Sequence, residues 1–381
     1  MKQLFVFFAI LFSCQLGIAQ SKSGIDREKL LDYYQSQRYA EAAAYLQSYY
    51  KEDTQDVKAL SQMAYANIMA GKLAEAEKYY ITLNTLQPNN IPTLFSLAGI
   101  SSRRGNVEKA KIYYLEVLKN DSTSFSAYKQ LADLDREGIS LVRNHYLEKA
   151  NALMPADADV AFDLCEVYFK MNFFDKAKLV LEPALAADSS NLKLLKMKMP
   201  ISMAGRNYPE AIKTGHLLLN YGDSSTFVLN NLAKSYFLSL DYPNALKYFL
   251  IIKDKAFDNE GLYYHIGLSY RGVKDFKNAI PYLEKAIKEG ISPKIATYYG
   301  LLGDSYEGVN QNETANKAYK KGLQFENNGS LLYNIALVYE TKLNDKKNAV
   351  NYYDQYLKTI NPKEQPKLIS FIKNKIEELK K

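Results

Sequence analysis

The sequence predicts an all-helical protein built from pairs of helices that follow one another along the chain. The stretch from Val57 to Asn90 places apolar residues at one-face helical spacing on both sides of Gly71 and closes at Pro88. The same pattern returns 34 residues later, with Gly105 in the place of Gly71. Hydrophobic residues make up 47% of the chain and charged residues 24%, which are values typical of a folded protein.

The positions of each 34-residue unit are numbered here as slots, with Val57 at slot 1. Alanine recurs at slot 20, in the second helix of the pair, at Ala76, Ala110, Ala177, Ala211, Ala245, Ala279, Ala315 and Ala349. A small residue there lets the two helices approach closely, while slot 24 carries a large ring or a leucine. The pattern therefore predicts interlocking of small and large side chains through a stack of helix pairs.

A fixed period of 34 with these residues resembles the tetratricopeptide repeat. The resemblance implies an α-solenoid, a right-handed superhelix of antiparallel helix pairs, with about ten repeats and a C-terminal capping helix. The predicted organisation is a signal peptide at 1–19, a degenerate N-terminal repeat or cap at 20–55, the repeat array at 56–361 and the capping helix at 362–381.

The first twenty residues have the features of a secretory signal peptide. They contain one early lysine, an apolar run from Leu4 to Phe12, and small residues at Gly17 and Ala19 that favour cleavage before Gln20. The stretch LFSC, which ends at Cys14, also resembles a lipobox, in which Cys14 would be acylated and become the first mature residue. The sequence therefore predicts export to a bacterial periplasm, or attachment to an envelope membrane if Cys14 is lipidated.

Three units depart from the pattern. Arg143 takes slot 20 of the fourth unit, next to a short loop at 137–140, and we expect its guanidinium to reach the surface or a carboxylate unless the register differs there. Pro183 should bend the second helix of the fifth unit, and Pro200 should interrupt the first helix of the sixth. Cys165 lies in a small-residue slot, so we expect a buried side chain rather than a nucleophile.

Catalytic motifs are missing from the sequence. It contains no HExxH, CxxC, P-loop or GxSxG pattern, and His145, His216 and His265 lie in different repeats without partners at metal-ligand spacing. The net charge of +7 is modest, and the basic residues are spread along the whole chain, often beside acidic residues. This distribution argues against nucleic-acid binding. We therefore predict a protein that is not an enzyme, with no cofactor, no metal and no nucleic-acid partner.

The resemblance implies that the first helices line a concave groove and that slots 2, 5, 9 and 12 meet the ligand. In this chain the predicted partner-binding groove comprises Lys58, Tyr65, Phe95, Lys129, Arg136, Phe162, Phe169, Phe227, Asn230, Lys234, Phe237, Tyr264 and Arg271. Rings provide apolar anchors for a peptide, and polar groups set its orientation. The lysines of the family's carboxylate clamp are replaced by Phe95 and Phe162, so a clamp for peptide C-termini is not expected.

The sequence thus predicts a non-enzymatic protein–protein interaction scaffold of the bacterial cell envelope, binding a peptide or protein partner in the concave groove. The alternative is a structural envelope assembly component or lipoprotein that acts through its convex face or its ends, in oligomerisation or in contact with glycan or lipid. Membrane attachment is expected only if Cys14 is lipidated.

Overall fold

The computed structural model of the chain describes residues 24–136, 140–255, 259–289 and 294–381. The described residues form 21 helices and no strand, arranged as ten consecutive helix pairs and one last helix. The prediction of an all-α solenoid with a C-terminal capping helix is therefore confirmed. The predicted signal peptide, its cleavage site, Cys14 and most of the short loop at 137–140 lie outside the described residues.

Two compact units divide the chain between Leu153 and Met154. The first unit holds four helix pairs, and within it each helix packs on the next along the chain. Its helices are α1 (Arg27–Gln35), α2 (Tyr39–Tyr49), α3 (Val57–Met69), α4 (Leu73–Leu86), α5 (Ile91–Arg103), α6 (Val107–Asn120), α7 (Phe125–Leu134) and α8 (Leu141–Leu153).

The second unit holds six helix pairs and the last helix. Its helices are α9 (Ala158–Lys170), α10 (Phe174–Ala187), α11 (Leu192–Ala204), α12 (Tyr208–Asn220), α13 (Thr226–Leu238), α14 (Tyr242–Asp254), α15 (Glu260–Gly272), α16 (Phe276–Glu289), α17 (Ile295–Gly308), α18 (Asn312–Leu323), α19 (Gly329–Thr341), α20 (Lys346–Leu357) and α21 (Pro366–Lys380). Helix α21 buries Ile372 and Ile376 against Tyr353 of α20. It therefore covers the apolar face that the tenth pair would otherwise expose.

The helix starts repeat with the same period as the core residues. Asp56 and Asn90, which are 34 residues apart, each accept hydrogen bonds from backbone N–H groups in the first turn of the helix that follows. Asp157 and Asn191 do the same for α9 and α11. A side-chain cap satisfies N–H groups that have no partner within the helix, so these repeats encode the start of their first helix, whereas α7, α13 and α17 begin without a side-chain cap.

The turn between the two helices of a pair has one conformation at many positions of the described chain. Gly71 and Asn172 adopt φ of 74° and 60°, in the left-handed region that glycine and asparagine tolerate. Leu240 and Lys274, at the same slot, adopt φ of 66° and 62° although their side chains disfavour this region. The packing of the two helices therefore imposes the turn geometry where the sequence does not favour it.

The alanines at slot 20 are fully buried, as predicted. All eight of them have 0% exposure, and the large side chain at slot 24 is also buried in most pairs, for example at Phe249, Tyr319 and Tyr353. Burying each such side chain stabilises the fold by roughly 1.5 to 3 kcal/mol. Small against large is therefore the packing rule of the repeat.

Two of the unusual core residues find partners in the backbone. Arg143 is buried rather than at the surface, and its Nε donates to the Ala132 carbonyl oxygen at 3.3 Å, at the C-terminal end of α7. This carbonyl replaces part of the water that a buried guanidinium loses. Cys165 is buried as predicted, its Sγ donates to the Ala177 carbonyl oxygen at 3.1 Å, and burial raises its pKa to about 12.

The prediction that Pro200 interrupts its helix is wrong. Helix α11 runs unbroken from Leu192 to Ala204, and α10 likewise continues through Pro183. Met199 and Ile201, on either side of Pro200, are both buried. Their packing outweighs the single hydrogen bond that the proline removes, because most helix stability in a folded protein comes from tertiary contacts.

Candidate partner-binding face

In the first unit, the predicted groove residues of α3 and α5 differ in accessibility. Lys58 is exposed, and the Tyr65 side chain is 44% exposed with its ring edge-on to Tyr34 at a centroid distance of 5.7 Å. Phe95 is half-buried and packs edge-on against the core ring of Tyr114 at 5.6 Å. Phe95 therefore contributes to the core of its own helix pair, whereas Lys58 and Tyr65 remain available to a partner.

Both predicted cations near α7 contact residues of their own segment. The Lys129 ammonium lies 5.7 Å from the centre of the Phe125 ring. Arg136 donates from Nη2 to Asp133 Oδ1 at 2.6 Å, with its side chain 65% exposed. Such an exposed ion pair contributes about 0 to 1 kcal/mol, so a partner could displace it at little cost.

In the second unit, the first helices of the six pairs form one continuous layer, because each contacts the next. We call the surface formed by their slots 2, 5, 9 and 12 the first-helix face. The contacts between neighbouring first helices include Lys193 over the Phe162 ring at 4.1 Å, the packing of α11 on α13, Phe237 against His265 at 5.6 Å, Tyr264 against Tyr298 at 4.7 Å, and Asn334 to Asp304 at 3.3 Å.

Helix α13 presents four of the predicted residues in one row, which we call the α13 stripe: Phe227, Asn230, Lys234 and Phe237. Their spacing places them on one side of the helix. Phe227 is 47% exposed, and the other three are half-buried. Across the described parts of the chain, no hydrogen bond or ion pair involves the Asn230 amide or the Lys234 ammonium. The stripe therefore offers a ring, an amide and a cation to a partner.

The other cations of this face are engaged within the protein. Lys196 forms an ion pair with Asp223, Nζ to Oδ2 at 2.6 Å. Arg271 donates to Asp304 Oδ2 at 3.0 Å, to Ser305 Oγ at 3.2 Å and to the Leu301 carbonyl oxygen, with only 19% of its side chain exposed. Arg271 thus joins α15 to α17, and this internal role distinguishes it from Lys234.

The remaining predicted rings of the second unit are half-buried, in contact with another ring or with a lysine ammonium. Phe169 lies edge-on to Phe174 at 5.5 Å, and Phe162 lies under the Lys193 ammonium. Tyr264 packs on Tyr298, and burial raises its pKa. These rings shape the first-helix face, but less of their surface is open than that of Phe227.

Two acidic residues of α17, Asp304 and Glu307, were not among the predicted groove residues but share the Tyr319 hydroxyl. Asp304 Oδ1 accepts from the Tyr319 hydroxyl at 2.7 Å, and the same hydroxyl lies 2.5 Å from Glu307 Oε1. One hydroxyl hydrogen serves only one carboxylate at a time. Burial, assisted by the Asp304 charge, raises the pKa of Glu307. Asp304 and Glu307 hold slots 9 and 12, so their positions were visible in the sequence pattern.

The histidines take part in local packing. His216 Nε2 lies 2.7 Å from the Tyr236 hydroxyl, and His265 packs against the rings of Phe237 and Phe249. Burial lowers the pKa of His265. In the described residues, His, Cys, Asp and Glu side chains form no group of three or more that could hold a metal ion. No helix in those same ranges is both long and apolar enough to cross a membrane.

Comparison with known families gives matches to the tetratricopeptide repeat in three segments, at residues 28–90, 261–289 and 329–361. The chain therefore contains tetratricopeptide repeats near both ends of the array. A segment of 84 residues, 22% of this chain, is 30% identical to the UDP-N-acetylglucosamine–peptide N-acetylglucosaminyltransferase of Caenorhabditis elegans. The chain spans about 7% of the length of that relative.

Among solved structures, the chain is similar to a tetratricopeptide repeat protein from Parabacteroides merdae, with 17% identity and a TM-score of 0.32. The match covers 75% of this chain and 99% of that one. It is also similar to the pilF protein of Pseudomonas aeruginosa, with 16% identity and a TM-score of 0.42, over 54% of this chain and 95% of the other.

Proposed function

We propose that this protein is a non-enzymatic scaffold of the bacterial cell envelope that binds a peptide or protein segment on its first-helix face. Tetratricopeptide repeats generally serve protein–protein interaction, and the repeat matches support this general role for the chain. The N-terminal apolar run supports the envelope as the location.

The α13 stripe is the observation that carries the proposal. Its Phe227 ring is 47% exposed, and exposed rings are frequent anchors of peptide binding. The Asn230 amide can donate to and accept from a peptide backbone, and the Lys234 ammonium can pair with an acidic side chain. Because neither polar group forms a hydrogen bond or ion pair in the described structure, binding a partner breaks no internal interaction there.

Photo-crosslinking in cells tests this assignment. A photoreactive amino acid at position 227 should give one dominant crosslinked protein, identified by mass spectrometry. Lys234→Glu should lower the yield of that product at least fivefold by charge repulsion. The matched control is Lys247→Glu on α14, which makes the same charge change on an exposed lysine in the same helix pair and should leave the yield unchanged.

Two results would overturn the proposal. One is the absence of a product at position 227 while the protein is folded and abundant. The other is an equal loss of product in the Lys234→Glu and Lys247→Glu variants, since a role for net charge alone would give that outcome.

Mass spectrometry of the mature N-terminus tests the location. A chain that starts at Gln20 supports a periplasmic protein, and an acylated Cys14 supports membrane attachment. A chain that retains Met1 in the cytoplasmic fraction contradicts both.

A further inference from the structure

The sixth helix pair, α11 and α12, breaks the packing rule at its centre. Slot 7 of the first helix is a leucine or isoleucine in the other pairs of the second unit: Leu164, Leu232, Ile266, Leu302 and Ile335, each 5% exposed or less. In α11 this slot holds Lys198, whose side chain is 32% exposed. A lysine thus replaces a core side chain.

Slots 8 and 24, which face each other within a pair, hold residues of exchanged size in the sixth pair. Slot 8 holds Met199 and slot 24 holds Gly215, the reverse of the small residue and large residue in other pairs. A Cβ atom at Gly215 would lie 2.9 Å from both Met199 Cε and Leu232 Cδ1. Met199 therefore fills the space that a slot 24 side chain occupies elsewhere.

An open cleft of about 720 Å³ lies at this place, between the second helices α10 and α12 with α11 as its floor. Its volume falls in the range of ligand pockets, roughly 300 to 1,000 Å³. Apolar side chains such as Leu181, Leu195, Ile201 and Leu217 line it. The α12 lining runs from Asn207 to Leu217, about 15 Å at 1.5 Å per residue. The cleft is therefore elongated and largely apolar.

The cleft lining carries three lysines and three carboxylates, those of Asp175, Glu182 and Glu210, so its net charge is zero, but the charges that act on Glu210 are all lysines. Lys198 forms an ion pair with Glu210, and that hydrogen bond, with the charges of Lys213 and Lys178, holds the pKa of Glu210 below its usual range. Lys178 also lies 3.7 Å from Glu182, whereas Lys213 is exposed. Two ammonium groups, those of Lys198 and Lys213, thus flank the one carboxylate of Glu210.

A partly buried ion pair usually stabilises a fold no better than an apolar side chain of the same volume. Lys198 is therefore poorly explained by stability, and it lies on the floor of a cleft. We propose that this cleft binds an elongated amphiphile with an apolar chain and one carboxylate, such as a medium-chain fatty acid. The chain lies on the α11 floor, and the carboxylate binds between Lys198 and Lys213.

Calorimetric titration with decanoate, below its micellar concentration, tests the proposal. Its ten-carbon chain extends about 11 Å at roughly 1.2 Å per bond and fits the length of the cleft. We expect saturable binding of decanoate by the full protein, and binding at least tenfold weaker for 1-decanol, which lacks the acid, and for acetate, which lacks the chain.

Lys198→Leu restores the side chain that the other pairs have and should reduce decanoate affinity at least tenfold. Because it fills the cleft, we expect the variant to fold and to unfold at a higher urea concentration than the wild type. Lys213→Gln should weaken binding three- to tenfold, while Lys247→Gln, at the same slot of the next pair, should leave it unchanged.

Equal binding of decanoate by the wild type and Lys198→Leu would overturn the proposal. Equal binding of decanoate and 1-decanol would do so as well, since the lysines would then have no role. If Lys198→Leu fails to fold, the comparison of Lys213→Gln with Lys247→Gln decides. Equal decanoate affinity of these two variants would then overturn the proposal.

Discussion

The sixth and ninth helix pairs solve the same packing problem in opposite ways. In the ninth pair, Gly303 at slot 8 leaves room for the Tyr319 ring, and a Cβ at Gly303 would lie 2.3 Å from that ring. In the sixth pair, the large residue is Met199 at slot 8 and the glycine is Gly215 at slot 24. Both arrangements bring the helices together.

The two pairs differ in what surrounds the contact. Tyr319 is fully buried, and its hydroxyl lies within hydrogen-bond distance of Asp304 and of Glu307. The sixth pair has Lys198 beside the exchanged residues and a cleft next to it. Each pair therefore keeps one small and one large residue at slots 8 and 24, and this combination maintains the packing of the stack. The slot that carries the large residue differs between the pair without the cleft and the pair beside it.

The largest effect is expected from Ala315→Arg in the ninth pair. Ala315 has 0% exposure at the closest approach of α17 and α18, so arginine would both overpack the contact and bury a charge. We expect a loss of more than about 4 kcal/mol in the free energy of unfolding. Urea unfolding followed by circular dichroism measures it.

The control is Lys317→Arg, an exposed position on the same helix, which should unfold like the wild type. If Ala315→Arg also unfolds like the wild type, slot 20 is not the close contact of this pair.

An intermediate effect is expected from adding a methyl group to each glycine. Gly303→Ala drives a Cβ into a rigid ring and should cost about 2 to 3 kcal/mol. Gly215→Ala meets the flexible end of Met199 as well as Leu232 and should cost about 1 kcal/mol. Differential scanning calorimetry of both variants measures the difference.

Gly99→Ala serves as the reference for these two variants, because a Cβ there meets nothing within 4 Å. It should be neutral or raise stability by up to about 1 kcal/mol. A larger cost for Gly215→Ala than for Gly303→Ala would contradict the expectation that the flexible end of Met199 accommodates a new methyl group more easily than the Tyr319 ring does.

The smallest effect is expected from Glu307→Gln and depends on pH. The folded pKa of Glu307 is raised above 4.5, so the folded state binds a proton more tightly and loses stability as pH rises through that range. The substitution replaces the carboxyl group by an amide, which can donate to the Tyr319 oxygen and does not ionise.

The variant should be more stable than the wild type by about 0.5 kcal/mol at pH 7, and the difference should disappear below pH 4. Thermal unfolding at several pH values measures it. A difference that grows as the pH falls would contradict this prediction, because it would mean that the folded state favours the ionised form of Glu307.

The candidate site was only partly predictable from the sequence. Slot spacing correctly places Phe227, Asn230 and Lys234 in one row on α13, since helical geometry alone determines that. The same spacing could not show that Arg271 pairs with Asp304, because that partner lies in the following repeat. Lys198 stood in a core slot of the sequence, but the cleft beside it depends on how α10 and α12 pack.

The sequence by itself determined the helix pairs, their caps and the buried alanines, because these follow from contacts that recur every 34 residues. The tertiary structure alone decided which polar groups are engaged and which are open, since neighbouring helices supply those partners. It also imposed the left-handed turn at Leu240 and Lys274 and kept α11 continuous through Pro200. In each case the packing of a whole helix outweighs the local preference of one residue.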